Sequence, residues 1–433
     1  MDKKITVAVI GCGSRGNTYS GCQNRFPDEM KIVAVADIKP ERAERFAKLY
    51  DVAPDMVFTS GEELLAQPKL ADVAFICTMD QQHFGHAIPA LKKGYDLLLE
   101  KPISPDPAEC MEIAKVANEL GRTVLVCHVL RYTVFYQQIH DIVASGKIGD
   151  VVSIQAIEPV TYWHQAHSFV RGNWRNSDLS SPMILQKCCH DMDLILWISG
   201  KKCRAVSSFG SIAHFKPEMA PEGAPSQCSP ECPAWEECPY TWDKIYLEDV
   251  RKYGSGCGWP TNVLNPEPTI ENITEACKTG PYGRCVYHCD NNVVDHQVVN
   301  LLLDGGATVN FTMCAFTSGA SRRIHVMGTK GDIVGDMGSN IITLGIFGKG
   351  TEEIDVRNLT TDFSGHGGGD SRMVHDLLDL VRGKITPETH PGITSIDKSI
   401  ESHIVAMAAE ESRVHGGKLI DIDDYMKILD LNA

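Results

Sequence analysis

The sequence has no apolar run of transmembrane length, no internal repeat, no low-complexity segment and no excess of basic charge. Each absence removes a class of function. A spanning helix needs about 20 consecutive apolar residues, and no stretch reaches that length. Nucleic acid and anionic membranes are bound by basic surfaces. Here 41 basic side chains stand against 56 acidic ones, a net charge of −15. The opening Met1-Asp-Lys-Lys leads directly into the first apolar stretch, so no secretory leader is expected and the expected location is cytoplasmic. In such a compartment the 16 cysteines are expected as reduced thiols, with clusters read as metal sites before disulfides. At 433 residues the chain has length for two or three domains and ample core.

What is present begins with an apolar run, Ile5 to Ile10, that breaks into Gly11-Cys-Gly-Ser-Arg-Gly16. The spacing is G-x-G-x-x-G. Gly11 permits the tight turn, Gly13 lets backbone approach a pyrophosphate, and Gly16 lets the following helix pack on the strand. Ser14 and Arg15 lie at that helix start, where free N–H groups favour phosphate. A second apolar strand, Ile32 to Ala36, ends in Asp37, placed to accept the ribose hydroxyls of NAD and to repel a 2′-phosphate. Strands and helices then alternate to Cys127, which implies a doubly wound parallel sheet. Ligands bind beyond the carboxyl ends of such strands. Thr78 to Gln82, with His83 beginning the next helix, follows the fourth strand; Glu100-Lys101-Pro102 follows the fifth. Thr78, His83, Glu100 and Lys101 are therefore cofactor-site candidates, and Lys101 is a catalytic one.

The opening glycines, Asp37 and Glu100-Lys101-Pro102 together resemble the Gfo/Idh/MocA oxidoreductases. The resemblance implies an NAD-binding Rossmann domain, here residues 1–128, and an α/β domain with an open mixed sheet, here 129–433. It implies sugars, cyclitols and their derivatives as substrates, a lysine at Lys101 that meets substrate and nicotinamide, and a homo-oligomer, dimer or tetramer, built on the outer sheet face.

The second half supplies further polar groups. Arg131 and Tyr132 lie at the junction. His164, His167, Arg171, Trp174 and Arg175 follow a strand beginning near Asp150, and they are the planar polar and aromatic types that hold a carbohydrate. His164 and His167 as metal ligands is the weaker reading, because no carboxylate stands nearby. A helix starting near Ser180 or Ser181 would place Lys187, His190, Asp191 and Leu194 on one face. In the resembled family that helix carries an acid or base histidine. His190 matches it and Asp193 matches an aspartate three residues on, but the usual upstream aspartate is replaced by Gln186. Lys101, Lys187 and His190 form the expected proton-handling cluster, with His190 the general base.

Residues 214–292 are rich in Pro, Gly and Cys. Cys228, Cys232 and Cys238, with Cys285 or Cys289 from afar, suit a tetrahedral metal; Cys285 is preferred, Zn²⁺ ranks first and an Fe–S cluster second. A long loop without its own core needs such a staple. Four further strands follow from Gln297 to Asp336. The run Ser364-Gly-His-Gly-Gly-Gly-Asp370 lets backbone approach a ligand, with His366 and Asp370 as hydroxyl holders. Helices at 371–382 and 395–415 close the chain, the latter expected on the first domain. Three functions remain open: an NAD-dependent dehydrogenase, a redox-neutral glycosidase that oxidises, eliminates, hydrates and re-reduces, and a non-catalytic sugar or dinucleotide sensor.

Overall fold

The computed structural model describes the backbone of residues 3–432 and the side chains of 3–429. The first two residues of the opening stretch on which the missing leader was read lie outside the described residues. Six strands form the first sheet: β1 (Ile5–Ile10), β2 (Met30–Ala36), β3 (Val57–Phe58), β4 (Val73–Ile76), β5 (Asp96–Leu99) and β6 (Val124–Val126). All pairings are parallel, in the order β3-β2-β1-β4-β5-β6. Their apolar runs are buried on both faces, as a helix-covered parallel sheet requires. Strand order reverses between β1 and β4, so the Gly11 turn and Thr78 emerge side by side at the ligand-binding edge.

The second sheet is mixed and has nine strands: β7 (Val151–Pro159), β8 (Cys203–Ser211), β9 (His296–Leu303), β10 (Thr308–Cys314), β11 (Arg323–Gly328), β12 (Gly331–Asp336), β13 (Ile341–Ile346), β14 (Gly350–Asp355) and β15 (Ile420–Asp421). Their order is β14-β13-β12-β11-β7-β10-β9-β8-β15. The β7–β10 pair is parallel and the others antiparallel. The sequence reading did not foresee β13 and β14. Helices Cys189–Ser199 and Ile396–Val414 cover one face.

Helix Ile396–Val414 lies on β8, on Cys189–Ser199 and on the first-domain helix Pro107–Glu119. The first-domain core itself is completed by a different segment. Helix Ser364–Val381 sends Met373, Val374, Leu377 and Leu378 among Ile5, Val7 and Val9. Residues 365–368 at its start all have positive φ, so the regular helix begins after them.

The 214–292 insertion is not the coreless loop the composition suggested. Phe215, Tyr240, Trp242, Tyr246, Ile273 and Val286 form a buried aromatic core of its own. Short helices Glu248–Tyr253 and Ile270–Thr279 belong to it. Its aromatics, scattered in sequence, come together only in the fold to supply that core.

Candidate functional site

The glycine turn has the geometry of a dinucleotide cradle. Gly11 has φ +97°, and a β-carbon there would stand 2.5 Å from the Cys77 carbonyl oxygen. One on Gly16 would stand 2.1 Å from the Gly11 oxygen. One on Gly13 would meet nothing within 4 Å. Gly11 and Gly16 close the turn, and Gly13 presents bare backbone to open space. Ser14 beside it is exposed. Asp37 is held next to the turn, its carboxylate accepting the N–H groups of Cys12 at 2.8 Å and Lys39 at 2.9 Å. These residues fit a dinucleotide with free ribose hydroxyls.

Arg15 does not face phosphate. Its guanidinium turns inward, with Nε 3.0 Å from Glu100 and Nη2 2.6 Å from both Asp370 and the Tyr19 hydroxyl. Glu100 also accepts from the Tyr19 hydroxyl and from the Lys101 amide. Burial pushes the Glu100 carboxyl up, but Arg15 and Lys101 outweigh that and hold it low and charged. The part-exposed Arg15 and the buried Glu100 thus tie the turn, the Glu100–Pro102 segment and helix Ser364–Val381 together. His83 is likewise structural. It is buried, with Nδ1 2.7 Å from the Pro102 carbonyl and Nε2 3.2 Å from that of Thr78. Thr78 places its hydroxyl 3.2 Å from His86.

The expected continuous helix is broken. Met183–Gln186 and Cys189–Ser199 are separate helices with Lys187 and Cys188 in the turn between them. An unbroken helix would offer the Gln186 carbonyl to the His190 amide. Instead it accepts the Lys101 ammonium at 2.8 Å. His190 is buried, its Nδ1 has no partner, and its ring lies edge-on to His128 at 5.6 Å. Burial first, then the positive Lys101, hold the imidazole well below its ordinary pKa and so neutral. Lys187 stands 3.5 Å from Glu158. Burial lowers its pKa and Glu158 partly offsets this, while Arg322 and Lys101 add to the lowering. Arg322 bridges Glu158 and Asp191, at 2.8 Å to each. His164 is partly buried beside Trp259. Burial and then the nearby Lys187 hold it neutral too.

Lys101, Lys187, His190, Asp191 and His164 therefore form one cluster within electrostatic reach of one another. Trp174 flanks it, with Nε1 3.4 Å from Asp80 on the first-domain loop. His366 lies exposed at φ +38°, its Nδ1 3.1 Å from Asp370.

Four expected substrate residues are elsewhere. Arg131 is buried in a two-bond pair with Asp193, at 2.7 and 2.5 Å. The Tyr132 hydroxyl is buried against Thr394. His167 is buried 3.0 Å from the Tyr246 hydroxyl and stacked on Tyr282. Arg171 is buried under the insertion. Polar residue types read from sequence look alike whether they line a cleft or satisfy an interior. Only the packing separates them.

The chain matches two linked profiles. Residues 5–128 match the oxidoreductase family's NAD-binding Rossmann fold, and residues 141–414 match its C-terminal alpha/beta domain. It belongs to the Gfo/Idh/MocA family. An oxidoreductase named YteT from Bacillus subtilis is 22% identical over 396 residues, covering 86% of this chain and 88% of that protein. An inositol 2-dehydrogenase from Corynebacterium glutamicum is 26% identical over 219 residues, which is 49% of this chain and 61% of that one. A crystal structure of an inositol dehydrogenase homolog complexed with NAD⁺ from Azotobacter vinelandii superposes with a TM-score of 0.69 at 15% identity. It covers 97% of this chain and 98% of that one. This Gfo/Idh/MocA chain is thus an oxidoreductase with an NAD-binding domain, and no helix among its described residues is long and apolar enough to cross a membrane.

In this Gfo/Idh/MocA member, sequence reasoning missed Glu158, Arg322 and His128. Glu158 had a signal: it follows Ile154 and Ala156 at every second position of β7, so alternation aims a carboxylate inward. Arg322 and His128 had none, since both lie just outside strands. The expected metal tetrahedron is not formed. Among the described residues no group of three or more His, Cys, Asp or Glu side chains is gathered to hold an ion.

Proposed function

We propose that this oxidoreductase interconverts a secondary hydroxyl and a ketone on a sugar, glycoside or cyclitol, C3 of a sugar being a candidate carbon, with Lys101 and His190 handling the proton. One observation carries the reading. The Lys101 ammonium is fixed on the Gln186 carbonyl beside a neutral, buried His190, at the strand edge that also bears the open Gly13 turn. The names of the inositol 2-dehydrogenase and of YteT support the reaction class.

The Gly11–Gly16 turn and Asp37 would hold NAD, which would supply a hydride acceptor for the carbinol carbon. The chain does the rest. Lys101 donates a hydrogen bond to the reacting oxygen and orients it. His190, neutral at physiological pH, accepts the hydroxyl proton. Lys101 and Arg322 stabilise the alkoxide-like oxygen in a desolvated cleft where charges act strongly. Asp191, held by Arg322, and His164 and Trp174 bind the remaining hydroxyls and the C–H face.

The Lys187–Glu158 pair favours a second reading of the same site. After oxidation at C3 of a glycoside, a base can remove the acidified C2 proton. The aglycone then leaves C1 with a proton, water adds, and the ketone is re-reduced. Net hydrolysis results.

The test is incubation with NAD⁺ and a panel of sugars, glycosides and cyclitols, following NADH absorbance and aglycone release together. NADH formation that disappears in Lys101→Ala supports the dehydrogenase. Aglycone release without net NADH supports the redox-neutral route. No turnover across the panel, with Lys101→Ala still binding NAD and sugar like the parent, overturns both and supports a sensor. We also expect a cytoplasmic homo-oligomer, dimer or tetramer, pairing through the open face of the nine-stranded sheet. Val152, Phe209, Leu302 and Val334 are exposed there, and native mass spectrometry reads the subunit number.

A further inference from the structure

Under the insertion lies a second site of different chemistry. Cys228, Cys232, Cys238 and Cys285 line one cavity of about 20 Å³ together with Arg171. All four are free thiols. Cys289, the rival fourth ligand, does not line it, and its thiol donates to the Cys285 carbonyl at 3.3 Å.

Arg171 is the decisive neighbour. It is 1% exposed. Its Nε donates to the Arg284 carbonyl and its Nη2 to the Tyr240 carbonyl, each at 2.7 Å, and its Nη1 is buried with no partner. Among the described residues it makes no ion pair. Asp290, the nearby carboxylate, is taken by Arg175 and Arg284. A buried charge without a counter-charge is strongly disfavoured. The rest of its cavity is lined by the four cysteines, Thr241 and apolar or aromatic residues, with no Asp or Glu among them.

Protonated thiols do not answer that charge. Metal coordination does answer it, because it drives thiols to thiolates. The volume is that of about one water-sized occupant, which suits a single ion.

We propose that Cys228, Cys232, Cys238 and Cys285 bind one Zn²⁺ and that Arg171 is its built-in counter-charge. Four thiols and Zn²⁺ give a tetrathiolate of charge −2 and release four protons to solvent. With Arg171 the net charge falls to −1. The sulfurs line the cavity without yet surrounding a common point, so ligation draws them inward. The proposal is independent of the redox reading, since the ligands lie outside the Lys101 cleft.

The experiment is elemental analysis of the whole chain as purified, with a count of reactive thiols on the native protein before and after chelation. The expected result is one zinc per chain, four thiols unmasked by the chelator, and tetrahedral thiolate spectra when Co²⁺ is added to the stripped protein. Cys228→Ser is expected to lose the metal. Arg171→Met is expected to weaken zinc retention roughly 10–100-fold, as loss of an outer partner does, with Arg171→Lys restoring part of it. No bound metal with unprotected thiols overturns the proposal, as does iron with acid-labile sulfide, or full retention in Cys228→Ser. Should that variant fail to fold, the thiol count on the parent protein decides alone.

Discussion

Arg131 and Arg171 are both buried guanidiniums, and their surroundings differ. In the interdomain region Arg131 meets Asp193 through two short hydrogen bonds, and Arg322 meets both Glu158 and Asp191. Under the insertion Arg171 meets two carbonyls and a cavity lined in part by four cysteines. In the first region the chain alone closes the arginines, each with its carboxylate, and what stays open is the Lys101 ammonium on the Gln186 carbonyl beside a neutral imidazole. The second is closed only if something turns sulfur into anion. The difference teaches that a buried charge without a carboxylate is a pointer to an absent ligand, whereas a paired one points to structure.

The largest expected effect lies in the cleft. Lys101→Ala should lower kcat by about 10³-fold or more, since orientation and charge stabilisation of the reacting oxygen are lost together. NAD binding measured by calorimetry should persist. His190→Ala should cost a further reading of the same kind, about 10²–10⁴-fold in kcat, the usual range for a general base. Turnover that survives either change would place the chemistry elsewhere.

Next comes the arginine comparison itself. Arg131→Met leaves Asp193 buried and unpaired, and should cost about 3–5 kcal/mol of stability. Arg171→Met in zinc-free protein strands only carbonyls, and should cost about 1–3 kcal/mol. Urea unfolding of both variants checks this, and equal losses would break the distinction.

Acid should act chiefly on the interdomain region. His128, His164 and His190 are held well below their ordinary pKa by burial, and His167 and His403 are lowered to about 3. The first three and His403 belong to the interdomain region; His167 packs against Tyr246 and Tyr282 of the insertion. All are neutral in the folded chain, while the unfolded chain titrates them near the ordinary histidine value of about 6.5. Their stability contribution is therefore complete above about pH 6.5 and is lost as pH falls towards 3. The limiting slope is about 1.4 kcal/mol per pH unit for each histidine. Urea midpoints at pH 7.5, 6.5 and 5.5 read the slope, and a flat profile would contradict the burial.

The smallest effect on folding is expected at the turn. Gly13→Ala has room for its methyl and an ordinary φ, so the melting temperature should be nearly unchanged while NAD affinity falls about tenfold by backbone crowding at the pyrophosphate. Gly16→Ala would press on the Gly11 carbonyl and should destabilise. Thermal melts with and without NAD separate the two.

Much of this was legible in the chain. Continuous apolar runs ending in glycines mark a buried parallel strand and its turn, so β1 through β6 and the cofactor edge follow from local pattern. The strands β13 and β14 were missed because Gly345 and the charged Gly350–Asp355 stretch blur the alternation. The helix through Lys187 was read as continuous because its composition is apolar and helical. The break there comes from tertiary demand: Lys101, distant in sequence, takes the Gln186 carbonyl.

By itself the sequence determined the two-domain α/β plan, the dinucleotide turn with Asp37, and the candidacy of Lys101 and His190, because each depends on residue type and short spacing. Only the tertiary structure decided which polar side chains face the cleft and which lie inside. Arg15, Glu100, His83, Arg131 and Arg171 carry charge or hydrogen-bonding groups that must be neutralised wherever they are buried. Their partners lie up to hundreds of residues away, as Asp370 does for Arg15, where no local pattern can name them.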